Sequence, residues 1–539
     1  MQITAYPYQP DTLPFSKLFL DYLENYSSLD DFFNGDPHQI SSLTKQADKQ
    51  SYKYSRQDLV TCLREFNATF HESEQLLENV ERFADEKAVA IVTGQQLNIL
   101  GGPLLIIFKT LTAIYHAKRL EDEMGKPVIP VFWLGDEDHD YQEIKDLIVP
   151  TRESYRTLSF ESHVAEPHAV ADITLSEDIN DFKKQIEEIL FDTDFSESLW
   201  GLLDTCYTNG ASFVNAFGNL IAALFAKHGL VLAGSNSPLI KNHIKEGLIK
   251  AVEKRSQIEQ KLEEQTKKID QRYHQQVHLS GSNLFYLDPE AGRLKINLDD
   301  GNWTTQSGLK WQTSQLIEDI NEQPEKFSPN VFLRPVLQDY LLPTVGYVAG
   351  PGEVSYYAQM KQVYPVFDLN MPVILPRFNA TIVESAINRI LKKVPFKMFE
   401  YRQRIEDLET QYVKKSNSTN IDKLFGIWKN QIQELSDENA QKIAEIDPTL
   451  KKSVGSAKAV YFGELDKLKG KLHSAMKKRE RIQIDRIARI KDHLFPADNL
   501  QERVFASIYF MNKYGLDVWD ELLDNMDEDH FKQHNLIYL

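Results

Sequence analysis

AVAIVTGQQLNILGGPLLIIFKTLTAIYHAKRLEDEMGKPVIPVFWLGDEDHDYQE, the stretch from Ala88 to Glu143, decides how the chain is read. An apolar run, Val89 to Val92, gives way to Thr93-Gly94-Gln95-Gln96, as a buried strand does on reaching its end. Gly101-Gly102-Pro103 then opens a segment in which Ile107, Leu111 and Ile114 recur at helical spacing, with Pro103 suited to a first turn. After Gly125 a second apolar run, Val128 to Leu134, closes on Gly135-Asp136-Glu137-Asp138-His139-Asp140. The order is strand, glycine loop, helix, strand, and polar residues gather where both strands finish. In an open parallel sheet, ligands sit outside the carboxyl ends of the strands, and a helix N-terminus there favours an anion. Chemistry is expected at this edge.

Working outward, the same rhythm returns twice. A helix through Leu220 and Leu224 precedes the strand Leu230-Val231-Leu232-Ala233, and Thr344 to Ala349 leads into Gly350-Pro351-Gly352-Glu353 before the strand Val373-Ile374-Leu375. Strands alternating with helices predict an α/β fold, a Rossmann-like doubly wound parallel sheet. Its core segments are 86–150, 206–270 and 331–380. Residues 151–205 and 271–330 break the alternation and read as insertions, the second holding a hairpin between Leu284–Leu287 and Leu294–Leu298. Residues 1–85 read as short helices capping the next domain. From 381 to 498 the pattern is helix alone. Ile421, Phe425, Trp428, Ile432 and Leu435 form a coiled-coil seam, and Lys451 to Phe495 predicts a helix about 68 Å long if unbroken, shifting register near Arg479. Such an arm is expected to project, and 499–539 to pack back on the core.

Bulk properties narrow the function. A formal charge of −18 argues against a general nucleic-acid binder, because an acidic surface repels phosphate. The basic run Lys477-Lys478-Arg479-Glu480-Arg481 reads as the solvated face of a coiled coil. Cys62 and Cys206, far apart, support neither a disulfide framework nor a cysteine-rich metal site. With no signal-peptide pattern at the N-terminus and no apolar run near the ~20 residues that span a bilayer, a cytoplasmic protein is expected.

Three strand ends carry the candidate residues. At the first, Thr93, Gly94, Gln95 and Gln96, with Gly101 and Gly102 allowing close backbone approach, can bind a polar substrate or a phosphate; the alternative is a capped tight turn. At the second, crowding of Asp136, Asp138 and His139 can raise a carboxyl pKa and supply a general base, while acids in a loop are also an ordinary solvated turn. No metal ligand set is assigned there. Trp133, on the strand leading into that loop, joins the binding set. At the third, Gly350, Gly352 and Glu353 precede Tyr356 and Gln359, three and six residues on, near one helical face. Nucleotide fingerprints such as G-x-x-x-x-G-K-[ST] are missing, so no redox cofactor is predicted.

Four blocks in order, VTGQQLNILGGPLLIIFK (92–109), PVFWLGDEDHDYQEI (130–144), LRPVLQDYLLPTVGYVAGPGEVSYYAQ (333–359) and LFPADNLQERVF (494–505), resemble the cysteine-adding enzymes of bacillithiol biosynthesis across nearly the whole chain. The resemblance implies a ligase that joins cysteine to glucosaminyl-malate through an amide on the sugar amine. It also implies a core similar to class I aminoacyl-tRNA synthetases, with connecting-peptide insertions and a coiled-coil arm associated with homodimers. Thr93 to Gln96 occupy the place of the synthetases' His-x-Gly-His signature without its histidines, and a Lys-Met-Ser-Lys-Ser loop is absent. Lys109 and Arg377 are the candidate substitutes. Because amide formation from a free carboxylate is uphill in water, ATP is the expected co-substrate. On this reading Asp136, Asp138 and His139 orient the amine and accept its proton, Thr93 to Gln96 and Gly101-Gly102 hold the phosphate or carboxylate end, and Glu353, Tyr356 and Gln359 line the sugar-malate pocket. The rival is a synthetase-like protein that binds tRNA or nucleotide and has lost catalysis; a helical dimer scaffold is a distant third.

Overall fold

The computed structural model describes the chain except for residues 7, 9–12, 14, 51, 139, 162–167, 274–282 and 417–420. It forms two compact units, residues 1–382 with 501–539, and residues 383–500.

The first unit is built on five strands: β1 (Val89–Gln96), β2 (Val128–Gly135), β3 (Val231–Gly234), β4 (Thr344–Ala349) and β5 (Val373–Pro376). They lie in the order β5-β4-β1-β2-β3, and every neighbouring pair is parallel. This is the Rossmann-like, doubly wound sheet expected from the alternation. The chain runs outward from β1 through β2 to β3, then returns to the other side of β1 for β4 and β5. The order reverses between β1 and β4, which opens a crevice outside their carboxyl ends.

Both faces of such a sheet are covered, so its strands are apolar where they cross the core and turn polar toward their ends. Helix Leu104–Met124 contributes Ala113, Ala117 and Leu120 to a cluster with Ile91, Val345, Val373 and Leu375, and helix Ile40–Lys49 adds Leu43. The N-terminal helices therefore complete the sheet's packing. At the β3 edge the Asn67 side chain takes the place of a sixth strand: its Nδ2 donates to Leu232 O at 2.9 Å and its Oδ1 accepts from Leu232 N at 2.9 Å.

Two local expectations change. β1 does not stop at Val92; it stays paired with β2 as far as Gln96 opposite Gly135. Side-chain polarity does not end a ladder whose backbone bonds continue, and Gly94 keeps the strands close, since a Cβ there would come within 2.8 Å of Trp133 O. Residues 1–85 are not helical throughout either. Gln2–Tyr6 is a strand, antiparallel to His534–Tyr538, which also adjoins Asn379–Val383. Its partners lie at the far end of the chain, where local patterning gives no hint of them. Within the second insertion the expected hairpin forms between Leu284–Asp288 and Gly292–Lys295, with Phe327–Pro329 as a third strand.

The second unit is helical. Ile421–Ile446 and Lys451–Arg479 form a hairpin whose core is Ile421, Phe425 and Leu465. Asp447 turns the corner by accepting from Thr449 N at 2.9 Å. The long helix expected through residue 495 breaks at Glu480 (φ −91°, ψ 13°), and Arg481–Leu494 continues separately. Lys477, in the basic run, pairs with Glu409 at 2.6 Å. The seam is only half used, for Trp428 and Leu435 remain 44% and 59% exposed. No helix among the described residues is long and apolar enough to cross a membrane.

Candidate active site

A cleft of about 420 Å³ occupies the crevice between β1 and β4. Side chains from distant parts of the chain line it: Gln95 and Gln96 at the end of β1, Lys109 on the following helix, Trp133 in β2 and Asp138 beyond it, Tyr347 in β4, Glu353 and Tyr356 on helix Pro351–Tyr357, Arg377 just past β5, and Arg503.

Lys109 holds the first and third strand ends together. Its Nζ donates to Gly94 O at 2.7 Å and Gln95 Oε1 at 2.9 Å, and pairs with Glu353 Oε2 at 2.5 Å. Burial pulls the ammonium below its ordinary pKa, and the Glu353 carboxylate works in the opposite direction. Glu353 also accepts from Gly350 N (2.7 Å) and from the Tyr347 hydroxyl (3.1 Å). Burial, reinforced by Glu353, raises the Tyr347 and Tyr356 hydroxyls well above their usual range, so both stay protonated.

The second strand end is anchored by the first insertion. Val170 N donates to Asp138 O (2.8 Å) and Ala171 N to Asp136 O (3.1 Å), which fixes the loop's path. Asp138 then faces the cleft, accepting from Gln96 Nε2 at 2.8 Å with Arg334 3.9 Å away. Across the cleft, Arg377 is buried on Glu502 and donates to Asn379 Oδ1 at 2.6 Å. Burial raises the Glu502 carboxyl, and Arg377 holds it down. Nε and Nη1 of Arg377 and Nε1 of Trp133 are buried with no hydrogen-bond partner among the described residues. Buried donors of this kind are costly unless a ligand or water satisfies them. In a chain of charge −18, the cleft sets Lys109, Arg334, Arg377 and Arg503 against Asp138 and Glu353.

The structure thus brings Gly94, Gln95, Gln96, Lys109, Trp133, Asp138, Gly350, Gly352, Glu353, Tyr356 and Arg377 to one cleft. Five predicted residues lie elsewhere. Thr93 is fully buried, its hydroxyl bonded to Val348 O at 3.2 Å across to β4. Gly101 and Gly102 have φ of 80° and 63°, and a Cβ on Gly102 would meet Asn98 Cβ at 2.3 Å. They make a tight turn under the C-terminal segment, where Leu104 N donates to Phe505 O and Ser507 N to Gly102 O, and they do not line the cleft. Asp136 turns toward β3, accepting from Asn236 N at 3.1 Å. Gln359 points into the helix Arg255–Ile269, bonding Thr266 Oγ1 at 2.9 Å. His139 lies outside the described residues. Among those described, no group of three or more His, Cys, Asp or Glu is arranged to hold a metal ion. Sequence reasoning missed Arg334, Tyr347, Glu502 and Arg503. All four stand inside the long blocks quoted above, but nothing local marks them as neighbours of Lys109.

Residues 1–378 match the family described as Bacillithiol biosynthesis BshC, N-terminal Rossmann-like domain, and residues 380–539 match its C-terminal coiled-coil domain. A protein of Salinibacter ruber named "Putative cysteine ligase BshC" is 32% identical over 516 residues, 94% of each chain. Proteins of the same name from Bacillus cereus (strain AH820) and Bacillus anthracis (strain CDC 684 / NRRL 3495) are 27% and 26% identical over 530 residues, covering 97% of this chain and 98% of theirs.

Proposed function

The chain belongs to the bacillithiol biosynthesis BshC family, and from that premise we propose that it is a ligase adding cysteine to glucosaminyl-malate through an amide on the sugar amine. The observation that carries this reading is the pairing, in one cleft, of an acceptor carboxylate with cations and orphaned donors. Asp138 receives the ammonium of the acceptor and removes one proton, so that the free amine attacks the activated acyl carbon. The bond from that carbon to the phosphate oxygen breaks, the phosphate leaves with the electron pair, and the nitrogen sheds its second proton to solvent. Gln96 orients that carboxylate. Arg377 and Arg503, with the Trp133 indole N–H, hold the anionic end of the acyl donor, which also satisfies the buried donors of Arg377 and Trp133. Activation of the cysteine carboxylate is the chemistry ATP supplies. Its phosphates fit the side-chain cations here, not a glycine loop. Lys109, committed to Glu353 and Gln95, sets the shape of the floor. On the second unit, the exposed Trp428 and Leu435 support a homodimer built on the helical hairpin.

Incubation of the purified chain with cysteine, ATP and glucosaminyl-malate is expected to yield the condensed thiol by mass spectrometry. Asp138→Asn is expected to slow its formation by about a hundredfold or more. Salt-sensitive retention of tRNA with no condensed product would favour the synthetase-like binding protein instead.

A further inference from the structure

Behind Asp138 and Arg334 a second cavity of about 290 Å³ opens, sharing those two residues and Val331 with the main cleft. Its far wall is the hairpin of the second insertion, which brings Phe285, Arg293 and Lys295. The hairpin is held in place from both sides. Asp288 closes its turn by accepting from Glu290 N (2.9 Å) and Ala291 N (2.8 Å). Arg293 donates to Pro329 O at 2.7 Å and lies over the Phe285 ring, 4.0 Å from its centroid. Asn330 joins the opposite wall, donating to Asn283 Oδ1 at 2.7 Å and capping Phe332 N and Leu333 N.

Among the described residues that line this chamber, three cations, Arg293, Lys295 and Arg334, stand against one acid, Asp138, and the Glu137 carboxylate also acts on Arg293. Lys295 makes no ion pair with a described residue. Burial and the neighbouring Arg334 draw Arg293 down to about 10, so the two guanidinium groups feel each other across the space. Like charges collected in a partly buried pocket are destabilising until an anion enters. The rigid Arg fork and the Lys ammonium suit carboxylate or phosphate oxygens, and the Phe285 and Phe332 rings favour a carbon skeleton beside them.

We propose that this side chamber binds the multiply charged end of one of the two larger substrates, a dicarboxylate or a phosphate chain, with Asp138 standing at the doorway between it and the cleft. The chamber is too small for both, so the pair of cavities divides the substrates between them and lets them meet at Asp138. This proposal rests on the ligase reading, which supplies the two anions.

Isothermal titration of the full chain with glucosaminyl-malate alone and with ATP alone tests this, with product formation followed in parallel. Lys295→Glu is expected to weaken one ligand at least about tenfold and leave the other within about twofold. Loss of glucosaminyl-malate identifies the dicarboxylate, and loss of ATP the phosphate chain. Lys295→Met, which removes the charge without reversing it and guards against misfolding of the first variant, is expected to give the same ranking with a smaller loss. Unchanged affinities for both, equal weakening of both, or no binding of either by the natural chain overturns the proposal. Product with unchanged binding in the variants leaves the ligase standing without the chamber; selective loss of binding with no product leaves the chamber without the ligase.

Discussion

Asp136 and Asp138 are two residues apart and have opposite fates. Asp138 sits at the cleft, 19% exposed and held by Gln96. Asp136 is buried against Ser235 and Asn236 beside Glu137, which pairs with the buried Lys241. Burial first, and Glu137 second, push the Asp136 carboxyl up to about 7, from 3.8 for an ordinary aspartate. A raised folded-state pKa means that the protonated group contributes stability at low pH. That contribution is whole below about 4 and is lost as pH rises through about 7, a change of up to roughly 4 kcal/mol. Asp136→Asn cannot ionise and keeps one acceptor for Asn236 N. Urea denaturation of both proteins at pH 5 and pH 8 is expected to show the variant gaining stability relative to the natural chain at the higher pH. A difference that stays constant between the two would remove Asp136 as the titrating group.

Among the elements, β3 is a short edge strand, as β5 is at the other side of the sheet. It has four residues and one strand neighbour, and its outer edge relies on the Asn67 amide. Removing that amide strands a buried N–H and a buried C=O, at about 1–3 kcal/mol each. Asn67→Ala is expected to lower stability by about 2–5 kcal/mol in denaturant titrations while Asp138 keeps its place, because the loop after β2 has its own anchors at Val170 and Ala171. A loss under about 0.5 kcal/mol, the range of an ordinary surface change, would show that water serves the edge equally well. The helical hairpin of the second unit shows the complementary situation. Its seam was legible from spacing, yet among the described residues of the hairpin only Ile421, Phe425 and Leu465 form the buried cluster, with Ile432 and Met476 partly buried against them.

At the scale of the whole molecule that uncovered apolar surface has a consequence. A groove of about 730 Å³ runs along the hairpin past Trp428, Leu435, Tyr461 and Leu468, and a second copy of the same helices is the occupant that heptad packing favours. Light scattering on eluting protein is expected to give twice the chain mass for the natural protein and the single mass for Trp428→Glu combined with Leu435→Glu. A single mass for both would end the dimer reading. The first unit is likewise assembled from distant pieces, for the chain end supplies Glu502 to the buried Arg377 and lays His534–Tyr538 against Gln2–Tyr6.

Alternation of apolar strands with amphipathic helices, the glycine turns and the heptad spacing were determined by sequence alone, because hydrophobic period and backbone permissiveness are local properties. They were enough to place the parallel sheet, the hairpin and the edge at which the cleft opens. Which side chains face that edge was decided by tertiary structure. Thr93 and Gln95 lie on one strand, yet the first bonds across the sheet and the second joins Lys109. Asp136 and Asp138 share one loop, and the turn at residues 170–171 dictates its path. Arg334, Arg377 and Arg503 become neighbours of the cleft only when β4, β5 and the chain end pack beside β1. Burial, pairing and shifted protonation depend on contacts between segments that meet only in the folded chain, and no periodicity within a short window encodes them.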